Sequence, residues 1–390
     1  MYFTFAEESS YGIDTTSQDY VLDLVSESII DNVNFKKTQE FNHPTAQGRY
    51  KSLETTEGRL AFEFTYNNEA WNKVFEVLLG QRIRLTSFEL AHSSENWRVL
   101  TGMLSANIDE DDISFTITEN KVGDFDTVDG IIINGEYIAI SSISNGVVSS
   151  STRGSEGTTA SLHLKNALVY GVVVSGDKYI DIISRYSNGF SYFLTKSISS
   201  QIYRDGDYFT FPGMQFNDFV FNARPKEGIS SSFESVCKFS RVITLENPSL
   251  EEDNGQMVDT DEIICFSDGD YFDVSTFYFQ VSNTLSLSPS KFMDYTNQGL
   301  ILNHFSTYGQ FSPVDSDADY LRQYKENVER NLSLTICKNK EMNNIYIFSF
   351  NKTMIGTMIH ALNSSILIDD SLPFYCFGEN EFNILIQNEV

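Results

Sequence analysis

Between Arg59 and Tyr66 the chain alternates without a break: Leu60, Phe62, Phe64 and Tyr66 are apolar or aromatic, while Arg59, Ala61, Glu63 and Thr65 are small or polar. Side chains of a strand point alternately to its two faces, so this period of two reads as a half-buried strand. Immediately afterwards the period changes. Asn67 or Asn68 is placed to cap a helix, and Trp71, Val74, Phe75, Leu78 and Leu79 follow at helical spacing on one face. Gly80 stands where a left-handed C-terminal cap belongs. A strand feeding an amphipathic helix is the best-determined unit of the chain, with Trp71 expected in the core.

Strand signals dominate elsewhere. The 31 Phe and 20 Tyr, against two Trp, suit pleated and half-buried surfaces. Residues 1–34 read as a strand, a polar turn from Gly12 to Asp19, and a strand or short helix from Tyr20. Residues 36–58 are polar without periodicity and are expected to form a loop of about 20 residues, a length that in compact domains is usually functional or mobile. Strand character resumes at 82–90 and 97–118, with Asp109-Glu-Asp-Asp112 as a hairpin tip. Asn134-Gly135 and Asn145-Gly146 each separate apolar alternations, the strongest short hairpin signal, because both turn residues need positive φ. They predict a small antiparallel meander ending in the turn-rich segment Thr152 to His163. Later strands are expected at 208–211, 219–221, 229–235 and 277–281, and a hairpin at 332–336 and 345–350. Residues 247–261 look like an exposed acidic loop, and Ser316 or Asp317 is placed to cap a second helix with Leu321, Tyr324 and Val328 on one face. Strand-like Ile366–Ile368 and Phe382–Ile386 lie in the C-terminal tail. The fold class is mainly β, or α+β.

Chemistry is harder to find. A net charge of −27 disfavours tight binding of nucleic-acid backbone or of anionic membrane. That charge serves solubility, or a surface that must not stick to DNA. The four cysteines lie far apart without a Cys-x-x-Cys pair, and none precedes Cys237, so they read as thiols in a reducing cytoplasm. No signal peptide or membrane-span pattern is present. Nor is there a nucleophile elbow, a His-Glu-x-x-His or a Walker loop. The five histidines have no metal-ligand spacing. Asp268, Asp270 and Asp273 lack the closing Glu of a calcium loop and read as a β-turn. No catalytic, cofactor-binding or metal-binding residue is assigned, the chain is not expected to be an enzyme, and assembly becomes the leading class.

Several segments carry a resemblance. Phe5-Ala-Glu-Glu-Ser-Ser-Tyr-Gly12, Ser28-Ile-Ile-Asp-Asn-Val-Asn-Phe-Lys-Lys37, Gly58-Arg-Leu-Ala-Phe-Glu-Phe-Thr-Tyr66 and Val77-Leu-Leu-Gly80 are similar to the opening strands, helix and closing turn of tail tube proteins of long-tailed, siphophage-type bacteriophages. Phe193-Leu-Thr-Lys-Ser-Ile-Ser199, Phe211-Pro-Gly-Met-Gln-Phe-Asn-Asp-Phe-Val220, Gly228-Ile-Ser-Ser-Ser-Phe233 and Tyr308-Gly-Gln-Phe-Ser-Pro313 continue it in order. Thr152-Arg-Gly-Ser-Glu-Gly-Thr158 is more loosely similar to segments of phage tail and baseplate proteins. Order, not any single motif, carries the likeness.

The resemblance implies tandem tail-tube-like β-sandwich or barrel domains, each with a flanking helix. These are residues 1–122 and 176–390, with 123–175 as a small β-meander insertion. It implies a virion protein, made in the host bacterial cytoplasm, whose rings stack around a channel for DNA during genome ejection. The partners are then the chain itself (a trimer imitating a hexamer, or a hexamer), other tail proteins, and double-stranded DNA in passage, with no membrane insertion and no cofactor. Inter-ring contact is expected from Phe41, Asn42, His43, Pro44, Arg49 and Tyr50 and from the terminal arms. Asp109, Glu110, Asp111 and Asp112 are candidates for a hairpin tip or the lumen. Alternatives are a baseplate hub, distal tail or neck ring protein, and a virion-associated glycan-binding or glycan-hydrolysing protein.

Overall fold

Strand-forming sequence governs the computed structural model, which describes residues 2–15, 18–38, 48–66, 68–92, 98–118, 124–185, 196–204, 207–224, 228–243, 255–268, 270–287, 300–302, 304–314, 328–338, 343–356, 371–376 and 382–389. The first part holds β1 (Tyr2–Glu7), β2 (Tyr20–Glu27), β3 (Ile30–Thr38), β4 (Gly48–Glu63), helix α1 (Asn68–Leu79) and β5 (Gly80–Leu90). Next come β6 (Thr101–Leu104), β7 (Phe115–Thr118), β8 (Gly130–Ile133), β9 (Glu136–Ser144), β10 (Val147–Thr152) and β11 (Leu168–Arg185). The remainder holds β12 (Ile198–Arg204), β13 (Asp207–Ala223), β14 (Ser230–Cys237), β15 (Arg241–Ile243), β16 (Ile263–Ser267), β17 (Asp270–Phe272), β18 (Val274–Ser282), β19 (Leu285–Leu287) and β20 (Leu300–Leu302). It ends with β21 (Ser306–Pro313), β22 (Arg330–Cys337), β23 (Ile345–Ile355), β24 (Leu372–Cys376) and β25 (Phe382–Glu389). The protein is mainly β, antiparallel, with one α-helix among the described residues.

One long row of strands organises the molecule. It runs β3–β4–β14–β13–β18–β21–β24, passes from β24 to β23 through a short pairing of three residues, and continues β23–β25–β11–β5. The alternation read from Leu60 to Tyr66 places Leu60, Phe62, Phe64 and Tyr66 in the core, joined from neighbouring strands by Phe233, Phe219, Phe221, Phe279 and Phe374. Helix α1 lays Trp71, Val74, Phe75 and Leu78 into the same core. The Trp71 ring sits 4.7 Å from Phe64, and Phe75 meets Phe219 and Phe348 edge-on at 5.2 and 5.9 Å, the geometry aromatic quadrupoles favour. Gly80 ends the helix at φ 98°, the left-handed cap its position predicts.

Strands β23 and β25, and β11 from Tyr179 to Ser184, are buried on both faces over most of their length. Tyr346, Phe348, Ile384 and Ile386 face the core around α1, while Ile345, Ile347, Leu385, Ile180 and Ile182 face a second core on the other side. This corrects the expectation of terminal arms. β25 lies between β11 and β23 and is buried from Phe382 to Asn388, and β1 lies between β2 and β12.

Two rings of six strands close on themselves. One is β1–β2–β4–β14–β13–β12, in which β13 pairs with β12 before Phe216 and with β14 from Gln215 onward, so 208–211 and 219–221 belong to one strand. The other is smaller, β6–β7–β10–β9–β8–β11 around a third core. Its tight turns are the two Asn-Gly pairs, with φ of 48° and 90° at Asn134 and Gly135 and 49° and 73° at Asn145 and Gly146. The meander expected over 123–175 is part of this ring, but β6 and β7 lie before residue 123, and β11 runs through 175 and 176 into the main row.

The loop expected over 36–58 is also corrected: β3 pairs with β4 from Ile30↔Glu57 to Thr38↔Gly48. A period-two reading needs one apolar face, and consecutive polar or charged positions such as Lys36-Lys37-Thr38 hide the strand. Arg49 and Tyr50 therefore stand in β4, opposite Lys37 and Lys36, while Phe41, Asn42, His43 and Pro44 lie outside the described residues. Outside them too are residues 316–327 of the expected second helix and Ile366–Ile368, while Val328, expected on that helix, is described and is not helical. The acidic loop is described only from Gly255, where Val258 and Glu262 are buried and the Tyr66 hydroxyl donates to Glu262 at 2.9 Å.

Candidate assembly surface

The face of β4–β14–β13–β18–β21–β24 that points away from α1 can be read in cross-strand rows. One row is Ala61, Ser232, Val220, Gln280, Tyr308, Tyr375 and Met354. The row on one side is Glu63, Ser230, Asn222, Tyr278, Gln310 and Pro373; on the other it is Arg59, Glu234, Asp218, Ser282 and Ser306. The intervening residues supply the aromatic core, so six strands share one polar face and one packed face. Charge gathers at the β4–β14–β13 end, where a hydrogen bond with Asp218 and partial burial both raise the Glu234 carboxyl. The β18–β21–β24 end is uncharged: the hydroxyls of Tyr278 and Tyr308 donate to Gln280 Oε1 at 3.2 and 2.5 Å, and Tyr308 and Tyr375 are 37% and 48% exposed.

The row ends in two long strands. β5 has 11 residues and β3 has nine, and among the described residues each is paired along one edge only. Beyond Asn32↔Thr55 the β3–β4 pair has no third strand among the described residues. Asp31 secures its base, accepting from Thr56 Oγ1 at 2.6 Å and Ser240 Oγ at 2.5 Å.

Buried polar groups fix the frame behind this surface. Glu8 joins three of the segments singled out in the sequence: its carboxylate accepts from the backbone N–H of Gly12 at 2.8 Å and of Gly213 at 2.7 Å, and from Ser197 Oγ at 2.6 Å. Burial raises the Glu8 carboxyl and these hydrogen bonds oppose the rise. Both glycines have φ of 71°, and a Cβ at Gly213 would lie 2.9 Å from Lys238 Cβ and 3.1 Å from the Tyr11 ring. Lys73 on α1 bridges Glu7 and Glu76, each at 2.7 Å. Asp181 on β11 has no exposure and accepts from Asn72, Arg82 and Arg84 at 2.7 to 2.9 Å, binding helix to sheet. The Asp181 network was invisible in the sequence, because its members are spread over 110 residues without a motif.

The third cluster lies in the small ring. Glu136, 1% exposed, receives Arg153 Nε at 2.8 Å and Nη2 at 3.0 Å, the N–H of Gly154 and Ser161 at 2.9 and 3.0 Å, and His163 Nε2 at 2.7 Å. Burial pushes its carboxyl up, but His163 and Arg153 together hold it at about 2. The carboxylate can only accept, so His163 carries its proton on Nε2, and its Nδ1 is buried with no hydrogen-bond partner. The turn read over Thr152–Thr158 is thus present, with φ of 59° at Gly154 and 83° at Gly157, and it delivers Arg153 to Glu136. Five donors converge on this one carboxylate, which anchors the 152–163 turn to β9.

Arg153 also reaches the acidic tip. Its Nη1 donates to the carbonyl oxygens of Asp109 and Asp112, and the Asp109 N–H donates to Asp112 Oδ2 at 2.8 Å. Asp109, Glu110, Asp111 and Asp112 are exposed in the turn between β6 and β7, in the small ring and not on the polar face of the main row. Asp268 sits in the β16–β17 turn and accepts from the Asn331 N–H at 2.8 Å and Arg330 at 3.2 Å. Among the described residues no three His, Cys, Asp or Glu side chains gather to hold a metal ion, and no helix is long and apolar enough to cross a membrane. All four cysteines are buried thiols. A scan against protein-family models and a search of curated proteins each returned no match.

Proposed function

We propose that this chain is a structural, non-enzymatic subunit of a phage tail tube, assembling in stacked rings around a channel for DNA. One observation supports the reading: a single antiparallel row, six strands of which share a polar face, ends in two long strands that among the described residues are paired along one edge only. An open edge is a template for pairing with another chain. A head-to-tail contact between copies closes into a ring when its rotation permits. Edge pairing of β5 on one copy with β3 on the next would continue the row and turn the polar face toward the axis. On this reading one chain supplies two tube-type units, residues 1–122 and 176–390, and three chains make the ring. The acidity of the chain then keeps DNA from the wall, within a screening length of ~8–10 Å.

Negative-stain electron microscopy of the purified protein, with salt varied, tests this. Long hollow tubes are expected. Isolated rings that never stack would assign the chain to a hub, distal tail or neck ring, and compact monomers under every condition would overturn assembly altogether. A second reading, a glycan-binding virion protein, draws support from the exposed Tyr308 and Tyr375 beside the amides of Gln280 and Gln310. Co-sedimentation with host-wall polysaccharide that is lost in Tyr375→Ala would favour it.

A further inference from the structure

In the small ring the donors around Glu136 divide between its two oxygens. Oε1 accepts from Arg153 Nε at 2.8 Å and the Gly154 N–H at 2.9 Å. Oε2 accepts from Arg153 Nη2 and the Ser161 N–H, both at 3.0 Å, and from His163 Nε2 at 2.7 Å. A guanidinium fork matches a planar anion at both oxygens, and main-chain N–H groups complete the cradle. Every donor comes from residues 153–163, and what shapes that segment does not involve the carboxylate. The Thr158 hydroxyl and N–H both donate to the Ser155 carbonyl, at 2.7 and 3.1 Å. Gly154, Glu156 and Gly157 hold φ of 59°, 54° and 83°. Arg153 is steadied by the carbonyl oxygens of Ser161, Asp109 and Asp112. The segment also hangs on β9 without Glu136, through the Ser155 N–H to the Tyr137 carbonyl and the Tyr137 N–H to Thr158 Oγ1, both at 3.1 Å. His163 is fixed at its main chain by an exchange of hydrogen bonds with Ile108 at 2.9 and 3.0 Å. It spends its proton on Nε2, facing the anion, and leaves Nδ1 buried without a hydrogen-bond partner.

We propose that residues 153–163 form a preshaped receptor for a small planar carboxylate, in which the side chain of Glu136 is the resident ligand and not part of the frame. This site is independent of the tube-subunit reading and stands whether or not copies associate. Its selectivity follows from size. Beyond Cβ the glutamate side chain is a methylene and a carboxylate, the heavy atoms of acetate, so Glu136→Ala leaves a site of that shape. Formate supplies both oxygens but leaves the space of the methylene unfilled. Propionate carries a carbon too many for a buried site. Chloride, a sphere, cannot engage both arms of the fork. A ligand that binds the folded chain and not the unfolded one raises stability by mass action.

The test melts the wild-type chain and Glu136→Ala at neutral pH and constant ionic strength, followed by circular dichroism, in the sodium salts of acetate, formate, propionate and chloride. In chloride the variant melts below the wild type. Acetate is expected to restore most of the lost melting temperature and to saturate, formate to restore less, and propionate to do no more than chloride. The wild type, whose site is filled, should not respond to acetate. A variant that folds and responds to no carboxylate overturns the proposal, and so does an acetate response of equal size in the wild type. If the variant is unfolded in chloride, refolding from urea reads the same property. Native circular dichroism recovered in acetate alone upholds the receptor, and recovery in no carboxylate overturns it, because a cradle shaped by its own turn must hold an added ligand.

Discussion

Glu136 shows how a residue with no motif of its own can govern a region. It is buried and ionised, held by Arg153 and His163. Its carboxyl is lowered in the folded chain, from 4.5 to about 2. A lowered carboxyl contributes stability that is present above its unfolded value and lost as pH falls toward its folded value. The small ring is therefore expected to lose stability between about pH 4.5 and pH 2, and urea titrations in that window should show a shallower pH slope for Glu136→Gln. Arg153→Ala removes one partner and leaves a buried carboxylate, a change that typically costs 3–5 kcal/mol, measurable as a lowered denaturant midpoint at pH 7. At Gly213 the reason is steric. Its φ of 71° and the short approach to Lys238 and Tyr11 mean that Gly213→Ala strains the turn that Glu8 ties down, and the melting temperature should fall. The sequence made the glycine turn at 152–158 legible, yet gave no sign that its arginine would meet Glu136, because that contact spans 17 residues and depends on the β9 register.

At the scale of elements, what could be read was what one-sided burial writes into sequence. The strand at 59–66 and α1 were visible because each has one apolar face, and the Asn-Gly hairpins because their turns demand positive φ. β3 and β25 failed for opposite reasons. Polar runs conceal β3. In β25, burial on both faces makes Phe382–Ile386 continuous, which showed a strand but not its central place. The polar sheet face escaped as well, since its rows join strands that are remote in sequence. The legible unit should also be the costly one to disturb. Trp71 is fully buried against Phe62, Phe64, Phe75 and Phe233, so Trp71→Ala is expected to lower stability by about 3–5 kcal/mol in equilibrium unfolding. Tyr375→Ala, on the exposed row, should change stability by less than about 1 kcal/mol and so isolates a surface role from a packing one.

Across the whole molecule the small ring and the main row share a strand and a core. β11 closes the ring through β6 and β8 and then pairs with β25, while β5 runs beside much of its length. Between ring and row lies the second core, where Ile132, Tyr137 and Tyr170 meet Ile182, Ile347 and Leu385. Buried hydrogen bonds cross the same boundary: the Tyr170 hydroxyl to Ser349 Oγ at 3.0 Å, and the Leu90 N–H to Gln387 Oε1 at 2.5 Å. Truncating Ile182 empties space that both sides fill, a change that costs about 2–5 kcal/mol in a core. If ring and row unfold as one unit, Ile182→Ala lowers hydrogen-exchange protection by the same free energy at the amides of Ile131–Ile133 and of Ile384–Ile386. Protection lost in the ring alone would mean that the ring opens independently and is only hinged to the row through β11. In the proposed tube the first outcome matters mechanically, because force passing along the row would then be borne by the ring as well.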